Sequence, residues 1–207
     1  AEITPSALRA NGQLARKVIT RNEDDVTLKL EMTLWHKPKA AAGAGVTNQP
    51  GGEAVWVETD AFSIEIDTVG ATITRAELKE HRGTVDTSKN FVLFERSPGR
   101  IYVAQSGLIG EGLPNHNSRF TTAEKGYRLG EGQSRLEVRF VAEGSDSARL
   151  VKTYVFARGS YSIGVRHELT NATAAPLQPY VYYQVSRDGN PPEGDSKMLP
   201  TYTGVGV

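Results

Sequence analysis

The fold is decided by residues 55–112, VWVETDAFSIEIDTVGATITRAELKEHRGTVDTSKNFVLFERSPGRIYVAQSGLIGEG. Apolar and polar side chains alternate along its first half, the pattern of β-strands with one buried and one solvent-facing side. The residues expected to be buried are Val55, Val57, Phe62, Ile64 and Ile66, and those expected to face solvent are Glu58, Ser63, Glu65 and Asp67. Gly70 lies between two runs, where a turn needs the positive φ that glycine tolerates. The stretch therefore predicts a meander of short antiparallel strands.

Strand patterns recur through the rest of the chain. Two apolar segments flank Ser97-Pro98-Gly99, which predicts a hairpin because these residues favour a tight turn. Further strands are predicted at 126–129, 136–142, 150–157, 161–169 and 177–185. A spacing of about 8 to 12 residues is typical of all-β proteins. The predicted fold class is all-β, a large twisted two-sheet β-sandwich with few short helices.

The first 53 residues differ from the remainder. Alternation at 14–20 and 26–35 around a polar turn predicts a hairpin, so residues 1–36 are an N-terminal β-hairpin segment of unclear origin. It is either a fusion or lineage-specific addition, which we favour, or a pair of strands added to an open sheet edge. Residues 37–53, KPKAAAGAGVTNQPGGE, are predicted to be a flexible linker because this composition buries too little apolar surface to offset the entropy of ordering.

Composition excludes several functions. The chain has 24 basic and 24 acidic residues, and this balance argues against a nucleic-acid surface, which relies on a basic excess. It contains no cysteine, which excludes disulfides, thiolate chemistry and zinc sites built on cysteine. No apolar run approaches the roughly 18 to 20 residues that span a bilayer, and the segment as given is expected to be soluble.

Four histidines are the main candidates for chemistry: His36, His81, His116 and His167. None forms a HxH or HExxH pair, and a metal site is not expected. One alternative uses the Asn115-His116 loop, with His116 as acid, His167 as its partner and a glutamate as base, since opening a sugar ring needs both proton transfers. We favour an ordinary loop histidine and a strand histidine facing solvent. The sequence therefore predicts no catalytic, cofactor-binding or metal-binding residues.

Two other features have ordinary structural explanations. The acidic residues Asp188, Glu193 and Asp195 lack the spacing of a calcium loop and are expected to form a solvated turn. The tyrosines at 180, 182 and 183 lie on a predicted strand, where some are expected to pack in the core and the others to line an exposed sheet face.

Several motifs occur in one order and carry a resemblance. Residues 59–70 follow T-D-x-x-x-x-x-I-x-T-x-G, an apolar strand ends at Leu93-Phe94-Glu95, and residues 104–110 follow A-Q-S-G-L-x-G. The pattern continues through residues 127–133, the strand KTYVF at 152–156, the turn RGSY at 158–161 and LTN at 169–171. This succession resembles the large periplasmic domain of the YidC membrane protein insertase family of Gram-negative bacteria, and it covers residues 54–207.

The resemblance implies a fold and a function. The fold would be a β-supersandwich similar to galactose mutarotases, C-terminally incomplete at Val207 relative to the family. The function would be that of a non-catalytic, cofactor-free periplasmic accessory domain of an inner-membrane protein insertase and chaperone, monomeric in isolation. Its partners would be Sec translocon accessory components (SecDF) and, through the parent protein, nascent inner-membrane proteins. The alternative is a carbohydrate-binding or mutarotase-like sandwich that uses the Asn115-His116 loop.

Overall fold

The computed structural model describes residues 51–145, 148–172 and 176–190, together with the backbone of residues 8–10, 13–15, 19–22 and 25–28. Fourteen strands lie in these residues. They are β1 (Leu8–Ala10), β2 (Gln13–Ala15), β3 (Ile19–Asn22), β4 (Asp25–Leu28), β5 (Ala54–Glu58), β6 (Phe62–Asp67), β7 (Thr72–Arg82), β8 (Asn90–Ser97), β9 (Arg100–Ile109), β10 (Gly126–Arg128), β11 (Arg135–Glu143), β12 (Ala148–Ala157), β13 (Ile163–Asn171) and β14 (Tyr180–Arg187).

The strands form two main sheets. The seven-stranded sheet has the order β10-β5-β6-β7-β8-β9-β14, and the five-stranded sheet has the order β11-β12-β13-β4-β3. Neighbours are antiparallel except β10 and β5, which run parallel. Strands β1 and β2 form a separate pair. The prediction of an all-β, two-sheet architecture is confirmed, and no helix in the described ranges is long and apolar enough to cross a membrane.

One apolar core lies between the two sheets. The seven-stranded sheet contributes the alternating residues predicted from the sequence, and all five of these are at most 3% exposed. The five-stranded sheet contributes a matching set from its own inward faces: Val138, Phe140, Leu150, Tyr154 and Phe156. Alternation therefore identified the buried face of β5 and β6 correctly.

Asp67 is the exception to this pattern, because it was expected to face solvent and is only 6% exposed. Its carboxylate accepts hydrogen bonds from the backbone N–H groups of Gly52 and Val69, both at 2.8 Å. The Arg96 guanidinium donates to the other oxygen at 2.6 Å. A buried carboxylate is tolerated here because all these donors compensate its lost hydration.

The five strands predicted between residues 126 and 185 match β10 to β14 to within about three residues, whereas β7 and β9 extend further than their alternating apolar patterns indicated. Within the predicted N-terminal hairpin, β3 and β4 pair antiparallel from Ile19 opposite Leu28 to Asn22 opposite Asp25, while residues 16–18 and 29–35 lie outside the described part of the chain. Strand β4 pairs with β13 through two register pairs, Leu28 with His167 and Thr27 with Glu168. The predicted linker, apart from residues 51–53, and the acidic positions Glu193 and Asp195 also lie outside the described residues.

Strand β14 forms one edge of the seven-stranded sheet. It is paired along its whole length with β9, from Tyr180 opposite Ile109 to Arg187 opposite Tyr102. Within the described ranges, no strand pairs with its other side. The adjoining loop is fixed to the sheet by Asp188, whose carboxylate accepts a hydrogen bond from the backbone N–H of Ile101.

Candidate functional site: a buried lysine and its polar cluster

A lysine lies in the middle of the apolar core. Lys152 is on the inward face of β12 and its side chain is fully buried. Its ammonium donates hydrogen bonds to the carbonyl oxygens of Gly70 at 2.5 Å and Ser106 at 2.8 Å. The ring of Phe120 lies below it, with 5.1 Å between Nζ and the ring centroid. Two carbonyls and one aromatic face thus match the three N–H bonds of an ammonium.

The carbonyl of Gly70 belongs to a left-handed turn between β6 and β7. Gly70 has φ of +73°, and the following residue, Ala71, has φ of +44°, which is uncommon for a residue with a Cβ. Tyr154 lies two residues after Lys152 on the same face of β12, and its hydroxyl donates to the Ala71 carbonyl at 2.6 Å. Lys152 and Tyr154 therefore hold two successive carbonyls of this turn against the opposite sheet.

Burial changes the acid–base properties of both side chains. It lowers the pKa of the Lys152 ammonium to about 7, because the charged form loses its hydration in the core. It raises the pKa of Tyr154, and the nearby Tyr183 raises it further. No carboxylate of the described residues hydrogen-bonds to Lys152. The sandwich interior thus contains an amine whose hydrogen-bond partners, the Gly70 and Ser106 carbonyls, are neutral.

A second polar group lies beside the lysine. His167 on β13 pairs in register with Lys152 and is 3% exposed. Its Nε2 lies 3.2 Å from the Ser106 hydroxyl, and its Nδ1 lies 3.2 Å from the Tyr183 hydroxyl. Burial, and then the charge of Lys152, lower the pKa of His167 to about 3, so the ring is neutral at physiological pH.

His116 occupies a separate position, in the loop between β9 and β10. Its backbone N–H donates to the Tyr182 hydroxyl at 3.0 Å, and its Nδ1 also hydrogen-bonds to that hydroxyl. Burial lowers the pKa of His116, with a smaller contribution from Lys152. The loop reaches the strand because Gly107 has no side chain: a Cβ there would lie 2.7 Å from the Cα of Asn115.

The described histidines and tyrosines agree with the sequence-based expectations except at His167. His81 is exposed near the end of β7, whereas the preferred interpretation of His167 as a solvent-facing strand histidine is wrong. It faces inward because its strand register places it opposite Lys152. His36 lies outside the described residues. The tyrosines divide as expected, since Tyr183 packs against the core and Tyr180 is 41% exposed.

The structure does not place His116, the proposed acid, and His167, its proposed partner, beside a shared side chain. His116 binds Tyr182 and His167 binds Tyr183, and consecutive residues of a strand point to opposite faces. Among the described residues, neither imidazole hydrogen-bonds to a glutamate, and no group of three His, Cys, Asp or Glu is placed to hold a metal ion. The carbohydrate interpretation of the Asn115-His116 loop stays a prediction.

Sequence reasoning missed Lys152, although one signal was present. It occupies the second place of the series Leu150, Lys152, Tyr154 and Phe156, whose other members all face inward. A lysine in the apolar register of a strand is unusual, because an unpaired charge is costly to bury. That position predicts either a register shift or a buried amine, and the structure shows the second.

Comparisons with known proteins indicate one protein family over most of the chain. The sequence profile described as the YidC periplasmic domain matches residues 54–207. Proteins named membrane protein insertase YidC are similar: that of Nitrosospira multiformis is 44% identical over 75% of this chain and 27% of its own length, and that of Cupriavidus necator is 46% identical over 82% and 29%. The protein of Methylobacillus flagellatus is 42% identical over 73% and 28%.

The chain thus spans less than a third of the length of these relatives. The family profile nevertheless covers well over half of the chain, and its first residue coincides with the start of β5. The strands of the core, the left-handed turn and the buried lysine all lie within the matched residues. The chain therefore belongs to the YidC family of membrane protein insertases, and residues 54–207 correspond to the periplasmic domain of that family.

Proposed function

We propose that this chain acts as a non-catalytic periplasmic accessory domain of an inner-membrane protein insertase and chaperone. In this role it supports the insertion of nascent inner-membrane proteins by the parent protein and docks to Sec translocon accessory components (SecDF). Family membership supports the general role. The docking role is supported by the β14 edge of the seven-stranded sheet, with which no further strand of the described residues pairs.

The interior polar cluster supports a structural rather than a catalytic role. The Lys152 ammonium is fully buried and already hydrogen-bonded to two carbonyls. Both ring nitrogens of His167 are likewise in contact with protein groups. A general acid or base must reach a proton on its substrate, and these groups are engaged within the core. Their contacts join the two sheets.

One observation carries the docking proposal: exposed apolar side chains lie along the edge formed by β14 and β9. Ile109 at the end of β9 is 56% exposed and lies directly opposite Tyr180 in the register. Val185 of β14 is 54% exposed and lies on the other face of the same edge. An edge strand offers backbone hydrogen-bonding groups to a partner, and apolar side chains beside it add buried area on association. This combination suits an extended segment of another protein.

The test is a pull-down from detergent-solubilised inner membranes with the whole 207-residue chain as bait and mass spectrometry as readout. Two lysine variants make a matched pair: Ile109→Lys places a charge on the edge, and Val85→Lys places one at a 59% exposed position between β7 and β8. We expect the parent chain and Val85→Lys to enrich Sec components and Ile109→Lys to lose them.

Two results would contradict the proposal. If the parent chain enriches no Sec component above an unrelated periplasmic β-sandwich, the docking role is wrong. If Ile109→Lys enriches them as well as Val85→Lys does, the edge of β14 and β9 is not the contact surface. Circular dichroism of both variants must match the parent, since loss of fold would also abolish binding.

A further inference from the structure

The imidazole of His167 joins three strands at the interface between the sheets. It belongs to β13 in the five-stranded sheet, and its two nitrogens contact Ser106 on β9 and Tyr183 on β14 in the seven-stranded sheet. The Tyr183 ring also packs edge-on against the imidazole, with 5.5 Å between centroids. The edge strand β14 is thus connected to the opposite sheet through this histidine.

In the cluster of His167, Ser106 and Tyr183, every hydrogen-bond donor has an acceptor only when the imidazole is neutral. The Ser106 hydroxyl can donate to Nε2, Nδ1–H can donate to the Tyr183 oxygen, and the Tyr183 hydroxyl can donate to the Val165 carbonyl at 3.3 Å. Each proton then has an acceptor. A protonated ring would donate from both nitrogens, so the Ser106 hydroxyl would lose its acceptor in a buried site.

Protonation is opposed by a neighbouring charge as well. Lys152 lies directly opposite His167 on the adjacent strand and faces the same side. Like charges at directly opposed positions of a sheet destabilise it, and more so in a core of low dielectric. Among the side chains that the structure describes, the groups that face the ring are Lys152 on β12, Ser106 on β9 and Tyr183 on β14, and none of them is a carboxylate; β4 places Leu28 opposite His167 in the register.

We propose that His167, Ser106 and Tyr183 form an acid-sensitive latch between the two sheets, closed by the neutral imidazole and released when the ring takes up a proton next to Lys152. The lowered pKa of His167 agrees with this geometry. In the unfolded chain the ring binds a proton below its ordinary pKa of about 6.5, whereas in the fold it does so only near 3. Stability is therefore lost as the pH falls through this interval.

The release is expected to begin at β14. This strand is paired only with β9 within the described residues, and Tyr183 is its link to His167. Strands β5 and β6 lie further into the sheet and contain fully buried core residues. Acid should thus open the interface locally at the edge before it unfolds the whole sandwich.

The first test measures urea unfolding from pH 7.5 to pH 4 for the parent chain and for His167→Gln, which retains a polar side chain that does not titrate. We expect the unfolding equilibrium constant of the parent to rise by up to tenfold per pH unit below 6.5, relative to the variant. The control His81→Gln changes an exposed histidine and should keep the pH dependence of the parent. Equal pH dependence in the parent and in His167→Gln would overturn the proposal.

A second measurement covers the case in which His167→Gln does not fold. The NMR signal of the His167 ring in the parent chain should stay in its neutral position down to about pH 4, and the hydrogen-exchange protection factors of β14 amides should fall on acidification before those of β6 amides. A ring that titrates near its ordinary value contradicts the proposed shift. Simultaneous loss of protection in β14 and β6 contradicts local release.

Discussion

Replacement of Lys152 by methionine tests the energetic role of the buried amine. Methionine has a similar length and no charge, so it fills the space while removing the donor to the Gly70 and Ser106 carbonyls. Two effects then oppose each other. The core loses a cation that is costly to bury, but two carbonyl oxygens lose their hydrogen-bond partner.

The balance between these effects depends on pH. The pKa of Lys152 falls from 10.5 to about 7 on folding, and at about 1.4 kcal/mol per unit this corresponds to about 5 kcal/mol between the two protonation states. Between pH 7 and pH 9.5 the unfolded chain holds the proton and the folded chain does not. The free energy of unfolding of the parent should therefore rise over this interval by about 3 kcal/mol.

The Lys152→Met variant lacks this rise. At pH 9.5 the neutral amine of the parent still donates two hydrogen bonds, so the variant should be less stable by about 2 to 4 kcal/mol, and the two proteins should approach each other near pH 7. The interval stops at pH 9.5 because the ordinary pKa of tyrosine lies near 10, and burial raises the pKa of Tyr154 and Tyr183 in the fold.

The assay is urea unfolding followed by circular dichroism, at half-unit steps between pH 7 and pH 9.5, for both proteins. All other titrating groups are shared, so the difference between the two curves isolates Lys152. A constant difference across the interval would show that Lys152 titrates outside it, and would refute the reasoning. The m-values must agree, since a change in m would indicate a different unfolded or native state.

Two further substitutions test the left-handed turn that the lysine holds. Gly70→Ala should lower the free energy of unfolding by about 3 kcal/mol, because φ is +73° and a Cβ would lie 2.3 Å from the His116 carbonyl oxygen; a loss below about 0.5 kcal/mol in thermal denaturation would contradict the geometry. Tyr154→Phe keeps the ring but leaves the Ala71 carbonyl without its donor, so we expect a loss of about 1 to 3 kcal/mol, and unchanged stability would show that this hydrogen bond contributes nothing.

The sequence was sufficient for the strands and their buried faces. Alternation is a local property, and it placed Val55, Val57 and Ile64 on the core side correctly. Turn chemistry was equally informative, since Gly70 adopts the positive φ expected between two strands. The spacing of the strands indicated a two-sheet sandwich, the family resemblance implied the same architecture, and the two sheets confirm it.

The polar interior was not predictable in the same way. Whether Lys152 faces a carboxylate, a carbonyl or solvent depends on which strand of the opposite sheet lies above it, and no local pattern contains that information. Asp67 illustrates the same point, because its main side-chain partner, Arg96, lies 29 residues away in sequence. His167 was assigned to the solvent face for the same reason. Polar residues in an apolar register can be recognised from sequence, but their partners cannot.

Strand β14 connects the two proposals, although they rest on different residues. Its Tyr183 enters the latch with His167, whereas its Tyr180 pairs with Ile109 at the exposed edge. Consecutive strand residues point to opposite sides, so a charge at Ile109 does not disturb the buried hydrogen bonds of His167. If Ile109→Lys loses docking but keeps the pH dependence of unfolding, only the docking proposal depends on that residue and the latch proposal is unaffected. If the parent chain docks but shows the same pH dependence as His167→Gln, the latch proposal is wrong and the docking proposal is unaffected. If both hold, protonation inside the core sets how firmly the edge that binds a partner is held in place.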